Sequence, residues 1–108
     1  LSARKPQDVT AAVDALGGAP AAHGSIADLG DRGTAGRLVA ESLEALGRVD
    51  GALISVGGPA PGTVLEAGED DWRAAVDSVL LGTVRLIKAL VPHLGDGAAR
   101  SLYKLSRF

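Results

Sequence analysis

One short stretch limits the folds open to this chain more than any other. Gly51-Ala52-Leu53-Ile54-Ser55-Val56 is almost wholly apolar, and Gly57-Gly58-Pro59-Ala60-Pro61-Gly62 follows at once. An apolar run without polar alternation suits a strand covered on both faces, as in a parallel sheet. The glycines and prolines after it cannot hold regular structure and read as a loop. Parallel strands need long crossover connections, usually helical, and the flanking segments supply them. Pro6 suits the first position of a helix, where its missing N–H costs nothing. Val9, Ala12, Val13 and Leu16 follow at helical spacing, and Gly17-Gly18 ends the run. Residues 20–27 read as a weak, short strand, and Asp28-Leu29-Gly30-Asp31 as a turn.

The same alternation continues to the end of the pattern. A helix is expected over about residues 32–46, with Ala35, Leu38, Val39, Leu43 and Leu46 as its apolar stripe. Asp31 is its expected N-cap and Gly47 its C′ residue. A long helix is expected over about residues 69–94. Glu69, Asp70 and Asp71 favour its positive N-terminal end. Trp72, Val76, Val79, Leu80 and Leu86 repeat at helical spacing, while Leu81 and Val84 fall off the stripe. That distribution predicts burial on more than one side. Strand and helix thus alternate, which specifies an α/β fold with a parallel sheet. Such sheets bind ligands beyond the carboxyl ends of their strands, here residues 2–4, 27–29 and 55–58.

Composition narrows the function. With 108 residues the chain holds one small domain, and 46% hydrophobic residues exclude a disordered one. The absence of cysteine excludes disulfides, thiolate metal sites and cysteine nucleophiles. A formal net charge of −2 argues against a nucleic-acid binder, which needs a concentrated basic face. The sequence has no uninterrupted apolar run of about 18 residues, so no membrane span is expected. Leu1-Ser2-Ala3-Arg4-Lys5 lacks signal-peptide anatomy, and the cytoplasm is the default location.

Few residues stand out for chemistry. Arg4, with Lys5 beside it, follows the first strand end. Its guanidinium fork can clamp a phosphate, or it is a solvated loop arginine. Asp28 can accept a hydrogen bond from a ligand amine or simply hold its turn. Gly57, Gly58 and Gly62 would let a ligand approach the backbone, although their spacing matches neither a P-loop nor a Gly-x-Gly-x-x-Gly fingerprint. His23 and His93 lack metal-ligand spacing. Glu66, Glu69, Asp70 and Asp71 read as a solvated, helix-capping turn.

Taken in order, several segments resemble the middle of a short-chain dehydrogenase/reductase. Leu1-Ser2-Ala3-Arg4 resembles the end of the family's second strand with its basic residue. Asp28-Leu29 resembles the acidic position after the third strand, and Gly47-Arg48-Val49-Asp50 the approach to the fourth. Ser55-Val56-Gly57-Gly58-Pro59 is similar to a Gly-Gly-Pro version of the Asn-Asn-Ala-Gly motif. Asp71-Trp72, Leu80-Leu81-Gly82 and Leu90-Val91-Pro92 match the long fifth helix.

The resemblance covers residues 1–95 and implies a Rossmann-like, doubly wound parallel sheet, incomplete in this chain. It implies an NAD(P)-dependent oxidoreductase that moves hydride between a nicotinamide cofactor and a small carbonyl or alcohol. Arg4 would sit near the adenosine 2′-phosphate, favouring NADP over NAD. Asp28 and Leu29 would flank the adenine, and Ser55, Val56 and Gly57 would line the ribose side. The helix over 69–94 would pack against its mate in a homo-oligomer.

Three departures qualify that reading. The family's opening Gly-rich turn belongs to a strand–helix unit that this chain does not contain, so the pyrophosphate lacks its helix N-terminus. Val79 and Ser55 stand where many members carry asparagine. The catalytic Ser and Tyr-x-x-x-Lys pair should follow a fifth strand beginning near residue 97, which the sequence does not show. Residues 96–108 read instead as an atypical, solvated basic tail, in which Tyr103-Lys104-Leu105-Ser106-Arg107 only echoes the catalytic pair. This stretch by itself is therefore expected to be inactive. The alternative is a degenerate, non-catalytic half-domain used for assembly.

Overall fold

The apolar run at the centre of the sequence forms β3, Gly51–Val56. The structure is a computed structural model that describes residues 1–58, 61–94 and, as backbone, 101–106. Before β3 come β1 (Ser2–Ala3), α1 (Pro6–Ala15), β2 (Ser25–Ile26) and α2 (Thr34–Leu46). After it come α3 (Glu69–Ala75), a π-helical stretch (Val76–Leu81), α4 (Gly82–Leu90), a 3₁₀ turn (Val91–His93) and β4 (Ser101–Ser106). The expected α/β, Rossmann-like order is present.

The sheet is parallel and comes in two pieces. β1 pairs with β2, Ser2 opposite Ser25 and Ala3 opposite Ile26. β3 pairs with β4 from Gly51–Ser101 to Val56–Ser106. A parallel bridge between Val49 and Leu94 continues that second pairing toward its start. The expectation that no strand follows residue 97 is thus corrected. The backbone of 101–106 is a strand, placed by the open edge of β3. The echo of the catalytic pair rests on side chains and on Arg107, which lie outside the described residues, as do Pro59, Ala60, 95–100 and Phe108.

Several start and stop signals act as the sequence indicates. Pro6 opens α1. Gly47 closes α2 at φ 75°, a left-handed conformation that glycine takes without a Cβ clash. The Asp71 carboxylate accepts the N–H of Gly68 at 2.9 Å and caps α3. Asp31, however, is not the N-cap of α2. That position is Gly33, and Asp31 contributes only its carbonyl, which accepts the N–H of Thr34.

Helices lie on both sides of the β1–β2 pair: a Cβ at Gly24 would meet Val9 and Val13 of α1, while Ser25, pointing the other way, hydrogen-bonds Glu41 of α2. Leu38 and Val39 of α2, Ile54 of β3, Leu90 of α4 and Leu94 are buried together with Val9, Ala27 and Ala35. Arg37 ties α2 to β2 by donating to the Ile26 carbonyl and pairing with Glu41, both at 2.8 Å. The Ser25 hydroxyl, and then Arg37, hold the Glu41 carboxyl below the usual carboxylate range. β3 has no such second cover among the described residues: Leu53, next to buried Ile54, is 67% exposed. The expectation that the long helix is buried on more than one side also fails among the described residues. Trp72, Val76, Leu80, Leu81 and Val84 are all exposed.

The tightest joint is at Gly82, the first residue of α4. A Cβ placed there would overlap the Leu29 carbonyl oxygen and lie 2.8 Å from the Leu29 Cβ. The obstacle is mostly backbone, so it cannot rotate away. Gly82→Ala should therefore destabilise the chain by about 1–3 kcal/mol from overpacking, despite alanine's better helix propensity. Urea unfolding followed by circular dichroism would show this as a lower midpoint at unchanged slope.

Candidate functional site

The carboxyl ends of β1, β2 and β3 meet at a cleft of about 400 Å³. The end of β1 contributes Ser2, Ala3, Arg4 and Lys5, and the first turn of α1 adds Asp8. The segment after β2 contributes Ala27, Asp28 and Leu29, and the end of β3 contributes Ser55, Val56, Gly57 and Gly58. Sequence reasoning selected Arg4, Asp28, Leu29, Ser55, Val56 and Gly57, and the structure brings all of them into this one cleft. They converge because parallel strands that begin in one layer also end in one layer.

Each wall has a physical basis. Asp28 holds its turn, accepting the N–H of Gly30 at Oδ1 (2.8 Å) while its carbonyl accepts that of Asp31. That Asx turn fixes the direction of Leu29, which Gly82 then clamps from the other side. Gly57 has nothing within 4 Å of where a Cβ would sit, so the end of β3 presents bare backbone to the cleft. Arg4 and Lys5 are both exposed at the rim and set two cations beside the α1 N-terminus. Anions are favoured at such a place. The carboxylates of Asp8 and Asp28 keep the cleft mixed in charge.

Sequence reasoning missed Ser78. It belongs to the π-helical stretch and reaches the same cleft from above. Its hydroxyl donates to the Ala74 carbonyl of α3 at 2.9 Å. A π turn keeps the apolar spacing of a helix nearly intact, so periodicity does not reveal it. Ser78 follows Asp77 in a stretch of mixed polarity, so the sequence offers no signal that singles it out. Val79, one residue on, is half-buried and offers no proton-bearing atom.

The acidic residues after β3 do structural work. Glu66 accepts the N–H and the hydroxyl of Thr63, both at 2.9 Å, which hold its carboxyl below the usual range. Glu69 pairs with Arg73. Among the described residues no group of His, Cys, Asp and Glu side chains could hold a metal ion. No helix among them is long and apolar enough to cross a membrane.

Known proteins share this sequence pattern and this fold. A family model described as enoyl-(acyl carrier protein) reductase matches residues 1–106. A meso-2,3-butanediol dehydrogenase from Serratia marcescens is 35% identical over 92 residues, covering 85% of this chain and 36% of its own length. A short-chain dehydrogenase/reductase from Burkholderia phymatum, solved in complex with NAD, superposes with a TM-score of 0.83 at 21% identity. It covers 96% of this chain and 38% of that one. A short-chain dehydrogenase from Burkholderia cenocepacia J2315, solved in complex with NADP, superposes with a TM-score of 0.74 at 26% identity. It covers 91% of this chain and 38% of that one. The chain thus spans little more than a third of the length of these relatives.

Proposed function

The chain belongs to the short-chain dehydrogenase/reductase family, and from that premise we propose that it forms the adenosine-binding part of an NAD(P)-dependent, cytoplasmic oxidoreductase. The observation that carries this reading is the convergence of Arg4, Asp28, Leu29, Ser55, Val56 and Gly57 on one cleft. The residues present fit one end of the cofactor. Arg4 and Lys5 hold an anionic group at the rim, and the Arg4 fork matches a phosphate at the ribose 2′ position, favouring NADP. Asp28 accepts from an exocyclic amine through Oδ2, which has no partner among the described residues. Leu29 lies against the flat face of the base. Ser55, Val56 and the bare backbone of Gly57 line the ribose side.

The cofactor, when bound, supplies hydride exchange with a small carbonyl or alcohol substrate; the protein supplies binding and orientation. This chain's own residues bind and orient, and they do not move the proton. The family's catalytic Ser and Tyr-x-x-x-Lys pair are not among them, and Val79 cannot hold a relay water. On this reading the chain alone has no turnover and binds NADPH weakly.

Titration with adenosine 2′,5′-bisphosphate and with 5′-AMP tests the assignment of Arg4. Wild type should prefer the 2′-phosphate, and Arg4→Ala should weaken that ligand about tenfold while leaving 5′-AMP unchanged. Equal loss for both ligands, or none for either, would contradict the assignment. A micromolar dissociation constant for NADPH with the chain alone would contradict the weak binding proposed here.

A second reading rests on a separate observation. Trp72 (48%), Val76 (46%) and Leu80 (54%) are exposed along one helical run. These side chains recur at four-residue spacing, so they share a face. This row supports a homo-oligomer built through the helix over 69–94, with or without catalysis. Sedimentation should show self-association that Leu80→Arg reduces to monomer. A wild-type monomer with a cooperative melt would contradict it.

A further inference from the structure

Among the described ion pairs, one joins residues eight apart on a single helical run. Arg85 Nη2 donates to Asp77 Oδ1 at 3.1 Å. An α-helix turns about 100° per residue, so residues eight apart diverge by about 80° and do not share a face. Residues seven apart differ by only about 20°. The wide turn of the π-helical stretch falls between the two residues: the Gly82 N–H donates to the Asp77 carbonyl, five residues back. A π turn takes up one extra residue. It thereby gives Asp77 and Arg85 the relation of residues seven apart. Long side chains on a helix lean toward its N-terminus, so Arg85 reaches back to Asp77. The ion pair and the π turn therefore require each other. The pair is also partly covered, with the Arg85 side chain 25% exposed, and is screened less than an exposed one. Arg85 Nη1 is buried with no partner among the described residues, so Asp77 is the counter-charge that they give this guanidinium.

What the wide turn decides is which side chain meets the cleft. Gly82 is held against the Leu29 backbone, so a change of helical register is taken up before residue 82. With the extra residue in place, Ser78 lines the cleft, its Cβ 3.8 Å from where a Cβ at Gly30 would sit. Without it, the run before Gly82 turns by about 100° and Val79 takes that place. A hydroxyl is then exchanged for a branched apolar side chain. The geometry points to Arg85 as a positioning residue: through Asp77 it holds the π turn and keeps Ser78, rather than Val79, at the cleft. Arg85 does not line the cleft itself. The Ser78 hydroxyl already donates to Ala74, so its oxygen is left to accept from a ligand hydroxyl or amine. This inference rests on the adenosine-binding reading given above and names two residues that tune it from outside the site.

Arg85→Met keeps the aliphatic stem and removes the charge, and Arg85→Lys restores it. Arg85→Gln, too short to reach Asp77, serves where Arg85→Met does not melt cooperatively. Nuclear Overhauser contacts read the register without any ligand. Wild type and Arg85→Lys should show the Ser78 β protons close to the Gly30 α protons. Arg85→Met should lose that contact and gain one from the Val79 methyls to Gly30. Ser78 contacts kept in Arg85→Met would overturn the proposal. Titration with adenosine 2′,5′-bisphosphate reads the consequence. Ser78→Ala and Arg85→Met should each weaken binding about fivefold, and the double variant should bind no more weakly than either. Arg85→Lys should bind within about twofold of wild type. Losses that multiply in the double variant would mean that Arg85 acts apart from Ser78, and would overturn the proposal. So would an unchanged affinity in Arg85→Met. Wild type that does not bind the bisphosphate would overturn the adenosine reading, and with it the role given to Ser78, whatever the proton contacts show.

Discussion

The contact on which the rest of this structure depends is the approach of Gly82 to the backbone of Leu29. It is where the long C-terminal helical run meets the loop that leaves β2, and it admits no side chain. The contact puts the start of α4 directly under the turn that Asp28 holds. The π-helical stretch just before Gly82 then projects over the ends of the strands, which brings Ser78 to the cleft. A larger residue at position 82 would push helix and loop apart. The loss would reach from the core around Leu38 and Leu90 to the wall that Leu29 forms. Packing and site are therefore one problem here, because the same backbone approach serves both.

Beside β3 the helices cover only one face, and that asymmetry explains part of the exposed apolar surface. Ile54 points into the layer and Leu53 points away from it, as neighbours on a strand must. An apolar run like β3 is made for burial on both faces, yet its second face is open among the described residues. The same holds for the outward row of the long helix. Apolar area of this kind in a small domain marks surfaces that are covered when the molecule is at work. The bare face beside Leu53 and the row from Trp72 to Leu80 are two such surfaces.

Much of this was legible in the sequence, and the reasons differ from element to element. β3 could be read because unbroken apolarity between turn signals has few other meanings. Pro6 and Gly47 could be read because each carries a backbone constraint of its own. The cleft residues could be read because a parallel sheet directs its strand ends to one side, whatever those residues are. β4 could not be read. Lys104 interrupts its apolar pattern and Arg100 and Arg107 flank it, so its strand character comes from the register imposed by β3. The π stretch was hidden for a related reason: its apolar spacing is that of an ordinary helix, and only the neighbouring backbone decides the local pitch. Asp31 was misread as a cap because the turn held by Asp28 carries the chain on to Gly33 before α2 begins.

The central claim is that the ends of β1, β2 and β3, with the π turn, form one surface that reads the adenosine end of a nicotinamide cofactor. Amide chemical-shift mapping with adenosine 2′,5′-bisphosphate tests it directly, because that ligand carries neither nicotinamide nor pyrophosphate. The account predicts saturable shifts that cluster at Arg4, Lys5, Asp28, Leu29, Val56, Gly57 and Ser78. Shifts that scatter over the helical surface, or that cluster along Trp72, Val76 and Leu80 and leave the strand ends unchanged, would contradict it.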